Sequence, residues 1–167
     1  MKNQNFSGSI LHFSTHASVD HANNKFSFIS FGDISNHKMS EPLFYNDLSY
    51  LNIPAELVVL NGCETGLGNV DLQGGVHSMA TAFFQSGAKS VMSSLWKVND
   101  AISSHITDMF YIKLSEGKFK DEALRDAKLY YLKNADPLYM HPYYWAAYIL
   151  TGDNSKLTWS KPWSFTF

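Results

Sequence analysis

One cysteine stands in 167 residues, so no disulfide can form within the chain, which fits a reducing, intracellular setting. Neither sign of charge dominates: 13 Lys and Arg against 15 Asp and Glu leave a formal net charge of -2. That balance removes the electrostatic grounds for a nucleic-acid or anionic-membrane partner. Seven histidines add positive charge only below about pH 6.5. No apolar run approaches the ~18 residues of a membrane span, and the opening MKNQNFSGSILHF lacks the apolar core of a signal peptide. Internal repeats, linkers and low-complexity stretches are missing too. These absences set the expectation of one soluble, cytoplasmic domain over residues 1–167, with motifs spanning about 10–153 and a tail over 154–167.

What is present is an apolar content of 45%, ordinary for a globular protein and enough for one core at this length. ILHF (Ile10–Phe13), ELVVL (Glu56–Leu60) and KSVMSSL (Lys89–Leu95) read as buried strands of a parallel sheet, with WAAYIL (Trp145–Leu150) as a fourth. KFSFISF (Lys25–Phe31) alternates as a half-exposed strand does, after a turn at Asn23-Asn24. Between these runs the period becomes helical. Val76, Met79, Ala80 and Phe83 share one face, with Gly87 as stop. Ile102, Ile106, Met109, Phe110 and Leu114 share another, with Asn99 or Asp100 as cap and Gly117 as end. Phe119, Ala123, Leu124, Ala127 and Tyr131 form a third stripe behind the acidic first turn of Asp121 and Glu122. Alternating strands and helices predict an α/β fold, a mostly parallel sheet with flanking helices.

The lone cysteine lies in LVVLNGCETGLGNV (Leu57–Val70), where an apolar run gives way to a glycine-flanked turn. In open α/β sheets ligands gather beyond the carboxyl ends of the strands. LVVL followed by NGCETG puts Cys63 at that end, and ILHF followed by STHA puts His16 at the matching end of a second strand. A histidine about 50 residues upstream of a lone cysteine is a nucleophile pattern. A free thiol is only a few per cent thiolate at neutral pH, so an imidazole is needed to take its proton and later protonate the leaving amine. Gly62 lets substrate approach closely, and the amides of Cys63 and Ala17 are candidate oxyanion donors, each such donor being worth about 3–4 kcal/mol of barrier. Taken singly, Cys63 reads as a small buried hydrophobe and His16 as a structural or surface histidine. Their order, spacing and shared sheet end make them a candidate dyad.

LHFSTHA, AELVVLNGCETGLG, GVHSMATAFFQSGAKSVMSSLWKVND, EALRDAKLYYL and HPYYWAAYILTGD, in this order, resemble the CHAT domain family. These are caspase-like, separase-related cysteine peptidases often fused to tetratricopeptide repeats. The resemblance implies a caspase/gingipain-like fold and hydrolysis of a protein or peptide substrate by a Cys–His dyad, His16 and Cys63, without a cofactor. It also implies a regulatory domain or repeats upstream in a longer chain. The loop after SSLW would line the pocket for the residue preceding the scissile bond, through Trp96, Lys97 and Asp100. Asp100 matches an acid that helps form this pocket in relatives cutting after arginine. Lys97 stands where separases carry another acid, which speaks against basic specificity here. Asp100 also reads as a helix N-cap.

The sequence departs from the family pattern in three places. NGCETG replaces the commoner SACETG, DLQGGV replaces a glycine–glutamate–glycine pattern, and the family's first two strands have no counterpart before Ile10. ILHF is therefore expected to be a sheet edge that pairs with a second copy, giving a homo-oligomer, or is covered by the aromatic tail WSKPWSFTF. Two rival functions remain open. One is a catalytically inert docking or regulatory module of the same fold. The other is a His-rich metal site of His12, His16, Asp20 and His21, disfavoured because residues four apart on a strand stand about 13 Å apart. The expectation is no metal. His77, His105 and His141 read as surface or packing residues and Glu64 as an exposed turn carboxylate. Tyr139–Trp145 reads as core around the last strand, with a substrate groove as the alternative.

Overall fold

Short apolar, partly β-branched runs become neighbouring strands of one sheet, the two central ones covered on both faces. In chain order the strands are β1 (Ile10–Phe13), β2 (Ala17–Ser18), β3 (Phe28–Ile29), β4 (Gly32–Asp33), β5 (Lys38–Met39), β6 (Leu43–Phe44), β7 (Leu57–Leu60), β8 (Asn69–Val70), β9 (Val76–His77), β10 (Ser90–Ser94) and β11 (Tyr148–Gly152). The helices are α1 (Tyr45–Ser49), α2 (Met79–Gln85), α3 (Asp100–Ser115), α4 (Lys120–Asn134) and α5 (Pro142–Trp145), with a 3-10 turn at Pro137–Tyr139. This computed structural model describes residues 7–15, 17–18, 20, 26–30, 32–33, 38–39, 42–61, 69–70 and 76–157. The expected Asn23-Asn24 turn, residues 71–75 of DLQGGV, Glu64 and the aromatic tail lie outside the described residues.

The main sheet has the order β1-β7-β10-β11. β1 and β10 both run parallel to β7, and β11 closes the sheet antiparallel to β10. Helices cover both faces. Val58, Leu60 and Val91 pack towards Leu48, Met79 and Phe83 of α1 and α2. Leu57, Val59 and Met92 pack towards Ile106, Phe110 and Leu114 of α3 and Ala123, Leu124 and Ala127 of α4. Burial of each large apolar side chain in these layers contributes about 1.5–3 kcal/mol. The α/β class and the mostly parallel sheet are as the sequence predicts. β1 stands at one end of this sheet among the described residues, paired there with β7.

Three boundaries differ from the sequence reading. Val76 and His77 belong to β9, not to the helix, because Ser78 starts α2 with a reciprocal capping box: its Oγ accepts from the Thr81 amide, and Thr81 Oγ1 accepts from the Ser78 amide. Trp145 ends α5, whose entry is fixed by Pro142 in its first turn and the His141 cap, so the last strand starts later, at Tyr148. That strand is antiparallel, not a fourth parallel one. Within KFSFISF only Phe28 and Ile29 are strand among the described residues, and Phe26 is exposed. The expected helix stops hold: Gly87 and Gly117 adopt φ of 105° and 77° just past α2 and α3, a region open to a residue without a Cβ.

Candidate functional site

The register of β1 on β7 sets the geometry of the candidate site. Phe13 lies opposite Leu60, so the two parallel strands end level with one another. Asn61 adds one more rung, its amide donating to the Phe13 carbonyl at 2.8 Å. Adjacent strands lie about 4.8 Å apart, so the chain leaves both at neighbouring points of the same sheet edge. His16 follows Phe13 by three residues, and Cys63 follows Leu60 by three. His16, Gly62 and Cys63 themselves lie outside the described residues.

The segments on either side of His16 are anchored to one neighbour. Before it, Thr15 Oγ1 donates to the Ser30 carbonyl. After it, Ala17 pairs with Ile29 as β2 joins the small sheet β2-β3-β6. The Asp20 amide, further on, donates to Ser27 Oγ at 3.0 Å. Thr15 and Ala17, the described residues on either side of His16, are thus both tied to the Ile29–Ser30 segment.

Asn61, the last described residue before Cys63, is tied to α3. Asn61 Oδ1 accepts a hydrogen bond from Ser103 Oγ, on the first turns of the helix. Ser103 is buried, at 6% exposure, and also hydrogen-bonds the Tyr148 phenol at the start of β11. Burial pushes the Tyr148 hydroxyl above its ordinary pKa, the Ser103 bond opposes this, and Asp100 adds to the rise.

The 96–100 loop connects β10 to the same helix. The Trp96 indole N–H donates to the Tyr143 carbonyl at 2.8 Å and its ring stacks on the Tyr143 ring, centroids 6.3 Å apart. Lys97 and Asp100 are exposed. Asn99 is the cap of α3, its Oδ1 accepting from the Ala101 amide at 3.0 Å and the Ile102 amide at 3.4 Å. Asp100 is therefore the first helical residue rather than the cap, where its charge faces the positive end of the helix dipole. Of the predicted site residues, Trp96 is held by contacts and Lys97 and Asp100 face solvent.

Other expectations are redrawn by the packing. Tyr139, Met140 and Tyr143 are 46%, 43% and 51% exposed, so that part of the aromatic cluster is surface, while Tyr144 and Trp145 are half-buried against the core that Tyr148 of the last strand joins. The cluster borders a cavity of about 460 Å³ between α3 and α4, lined among others by Asn99, His105, Tyr130, Tyr131, Asp136 and Tyr139. Asn99 makes that cavity a neighbour of the 96–100 loop, a link that no local sequence pattern signals. His12 is on β1, its ring 5.7 Å from the Tyr111 ring on α3. Burial lowers its pKa from the ordinary value and Asp108 partly restores it. A strand, not a helix face, therefore carries His12, and His16 and His21 of the metal reading lie outside the described residues. Among the described residues no three His, Cys, Asp or Glu gather closely enough to hold a metal ion, and no helix is long and apolar enough to cross a membrane.

Comparison with known proteins agrees with this architecture. The family model described as CHAT domain matches residues 1–153. Tetratricopeptide repeat protein 28 of Homo sapiens is 32% identical over 111 residues, which is 66% of this chain and 4% of that protein. The chain thus spans only a small part of the length of the curated relative it matches.

Proposed function

The chain belongs to the CHAT domain family, and on that premise we propose that it is a cysteine endopeptidase acting on a protein or peptide substrate. Cys63 is the nucleophile and His16 the general acid/base. The imidazole takes the thiol proton as sulfur bonds to the scissile carbonyl carbon, and the amides of Cys63 and Ala17 hold the oxyanion. Collapse of the tetrahedral adduct expels the amine, which leaves with the proton held by His16, and a water deprotonated by His16 then hydrolyses the thioester. Gly62 keeps the approach to the sulfur open. Trp96, Lys97 and Asp100 face the residue preceding the scissile bond. This chemistry needs no cofactor.

One observation carries the reading: the strands leading to His16 and Cys63 are adjacent, parallel and level at Phe13 and Leu60. A dyad assembled from distant positions requires such a juxtaposition, and a pair on opposite sheet ends would forbid it. The name of the human relative, a tetratricopeptide repeat protein, supports repeats elsewhere in a longer chain. We further propose that such repeats regulate the domain and that it acts in the cytoplasm. A peptide library incubated with the chain and its Cys63→Ala and His16→Ala variants tests the proposal. Cleavage lost by about 10³-fold or more in both variants is the expected result. No cleavage by the parent chain, with a thiol whose alkylation ignores His16→Ala, would favour an inert docking module instead.

A further inference from the structure

Asn61 is a three-way junction. Its amide donates to the Phe13 carbonyl on β1, its backbone continues β7, and its carboxamide oxygen accepts from Ser103 on α3. Ser103 in turn has its amide on the Asn99 carbonyl at 2.9 Å and its hydroxyl on Tyr148. One residue therefore couples, by its backbone, the ends of the strands that precede His16 and Cys63 and, by its side chain, the helix that follows the 96–100 loop. Nothing in the local pattern requires an asparagine there. The strand ends at Leu60 without it, and the sheet rung at residue 61 uses only the backbone.

We infer that Asn61 is a positioning residue which, through its hydrogen bond to Ser103, fixes the direction in which the cysteine turn leaves β7. The inference rests on the dyad reading above and adds to it the group that sets the dyad's geometry. The physical ground is precision. A misplacement of about 1 Å between reacting groups costs about 100-fold in rate, and a turn entered from a free strand end has that latitude. A buried hydroxyl on a sixteen-residue helix is a firm reference point for the turn, because the helix is itself held by the Asn99 cap and its packed face.

The test uses the fact that Cys63 is the only thiol. Its alkylation by iodoacetamide is followed from pH 5 to 10 in the parent chain and in Asn61→Leu, Ser103→Ala, Ser103→Thr and His16→Ala, with thermal unfolding measured alongside. The expected result is a midpoint in the parent chain below that of an ordinary thiol, raised by about one pH unit in Asn61→Leu and in Ser103→Ala. Ser103→Thr, which keeps the hydroxyl, stays near the parent. The double variant Asn61→Leu, Ser103→Ala goes no further than either single one, since both remove the same bond. A parent midpoint that moves with His16→Ala but not with Asn61→Leu or Ser103→Ala overturns this inference and leaves the dyad standing. A parent midpoint near 8.5 that is indifferent to His16→Ala overturns both. Should Asn61→Leu fail to fold, the Ser103→Ala and Ser103→Thr pair decides alone.

Discussion

Lys120, fully buried at the start of α4, places its ammonium 3.3 Å from the carboxylate of Glu56, the residue just ahead of β7. The same ammonium donates to the Asp153 carbonyl at 3.2 Å, and Lys89 reaches the other Glu56 oxygen at 2.8 Å. This charged knot ties the start of β7, the start of β10, the end of β11 and the start of α4 together.

Removing one partner of a buried pair leaves the other charge uncompensated. Lys120→Ala is expected to lower stability by about 3 kcal/mol in chemical unfolding, while Lys89→Ala, at an exposed lysine, moves it little. The knot also sets an acid limit. Burial pushes the Glu56 carboxyl up, but its hydrogen bond to Lys89 and the charge and hydrogen bond of Lys120 outweigh this, so it lies below its ordinary 4.5. Its contribution is present above that value and is lost as pH falls through the lower folded value. Urea midpoints measured from pH 6 down to 3 in the parent and in Glu56→Gln check this: the parent falls more steeply.

His12 adds a second, milder pH dependence. Although exposed on β1, His12 is partly desolvated beside Tyr111, which lowers its folded pKa from the ordinary 6.5, with Asp108 acting in the opposite sense. The unfolded chain binds the proton more readily, so stability declines as pH falls from about 6.5 through the folded value. His12→Leu is expected to flatten the stability curve between pH 7 and 5, read by thermal unfolding in matched buffers. An unchanged curve would remove His12 as the cause.

Asn99 and Asp100 should separate cleanly. Asn99→Ala removes the cap of α3 and is expected to cost about 1 kcal/mol. Asp100→Asn loses only a favourable dipole contact, about 0.5 kcal/mol. Under the peptidase reading Asp100→Asn instead changes which residue is accepted before the scissile bond, measured as relative kcat/KM across a peptide series. An unaltered preference would leave Asp100 a helix residue and nothing more.

Gly152 has φ of 96° in β11, and a Cβ there would meet the Lys89 carbonyl oxygen and, at 2.7 Å, the Phe84 ring. Gly152→Ala therefore combines backbone strain with overpacking against backbone that has no room to give, an expected loss of about 2–4 kcal/mol. Gly117→Ala, with a similar φ but open space around it, should lose only the strain. Equal losses in the two variants, measured by thermal unfolding, would show that contact is irrelevant.

Local signals served the reading of the sequence where they were strong. ILHF became β1 without a shift, and the stripe Ile102, Ile106, Phe110 and Leu114 is buried as its spacing predicts. Signals failed where two patterns competed. Trp145–Ala147 looked like strand by composition, yet Pro142 and His141 claim this stretch for a short helix and its exit. Tyr139–Trp145 looked like core because it is aromatic, yet only Tyr144 and Trp145 pack against the core, while Tyr139 and Tyr143 are exposed and meet Tyr144 edge to face. Contacts between distant positions were beyond the reach of local pattern altogether. Neither the Asn61–Ser103 bond nor the Lys120–Glu56 pair has any signature in the residues that flank it. For the proposed dyad, the sequence supplied the order and the candidate ends; the register of β1 on β7 brings Phe13 level with Leu60, while His16 and Cys63 themselves lie outside the described residues.

β7 is secured differently at its two extremities. Its beginning is locked by charges shared among three other elements, its finish by one carboxamide and one backbone rung. The ionic footing and the rim of the sheet are thereby held by separate sets of contacts, so a change at one end need not disturb the other. An engineer seeking altered selectivity should vary the rim, and one seeking heat tolerance should reinforce the footing.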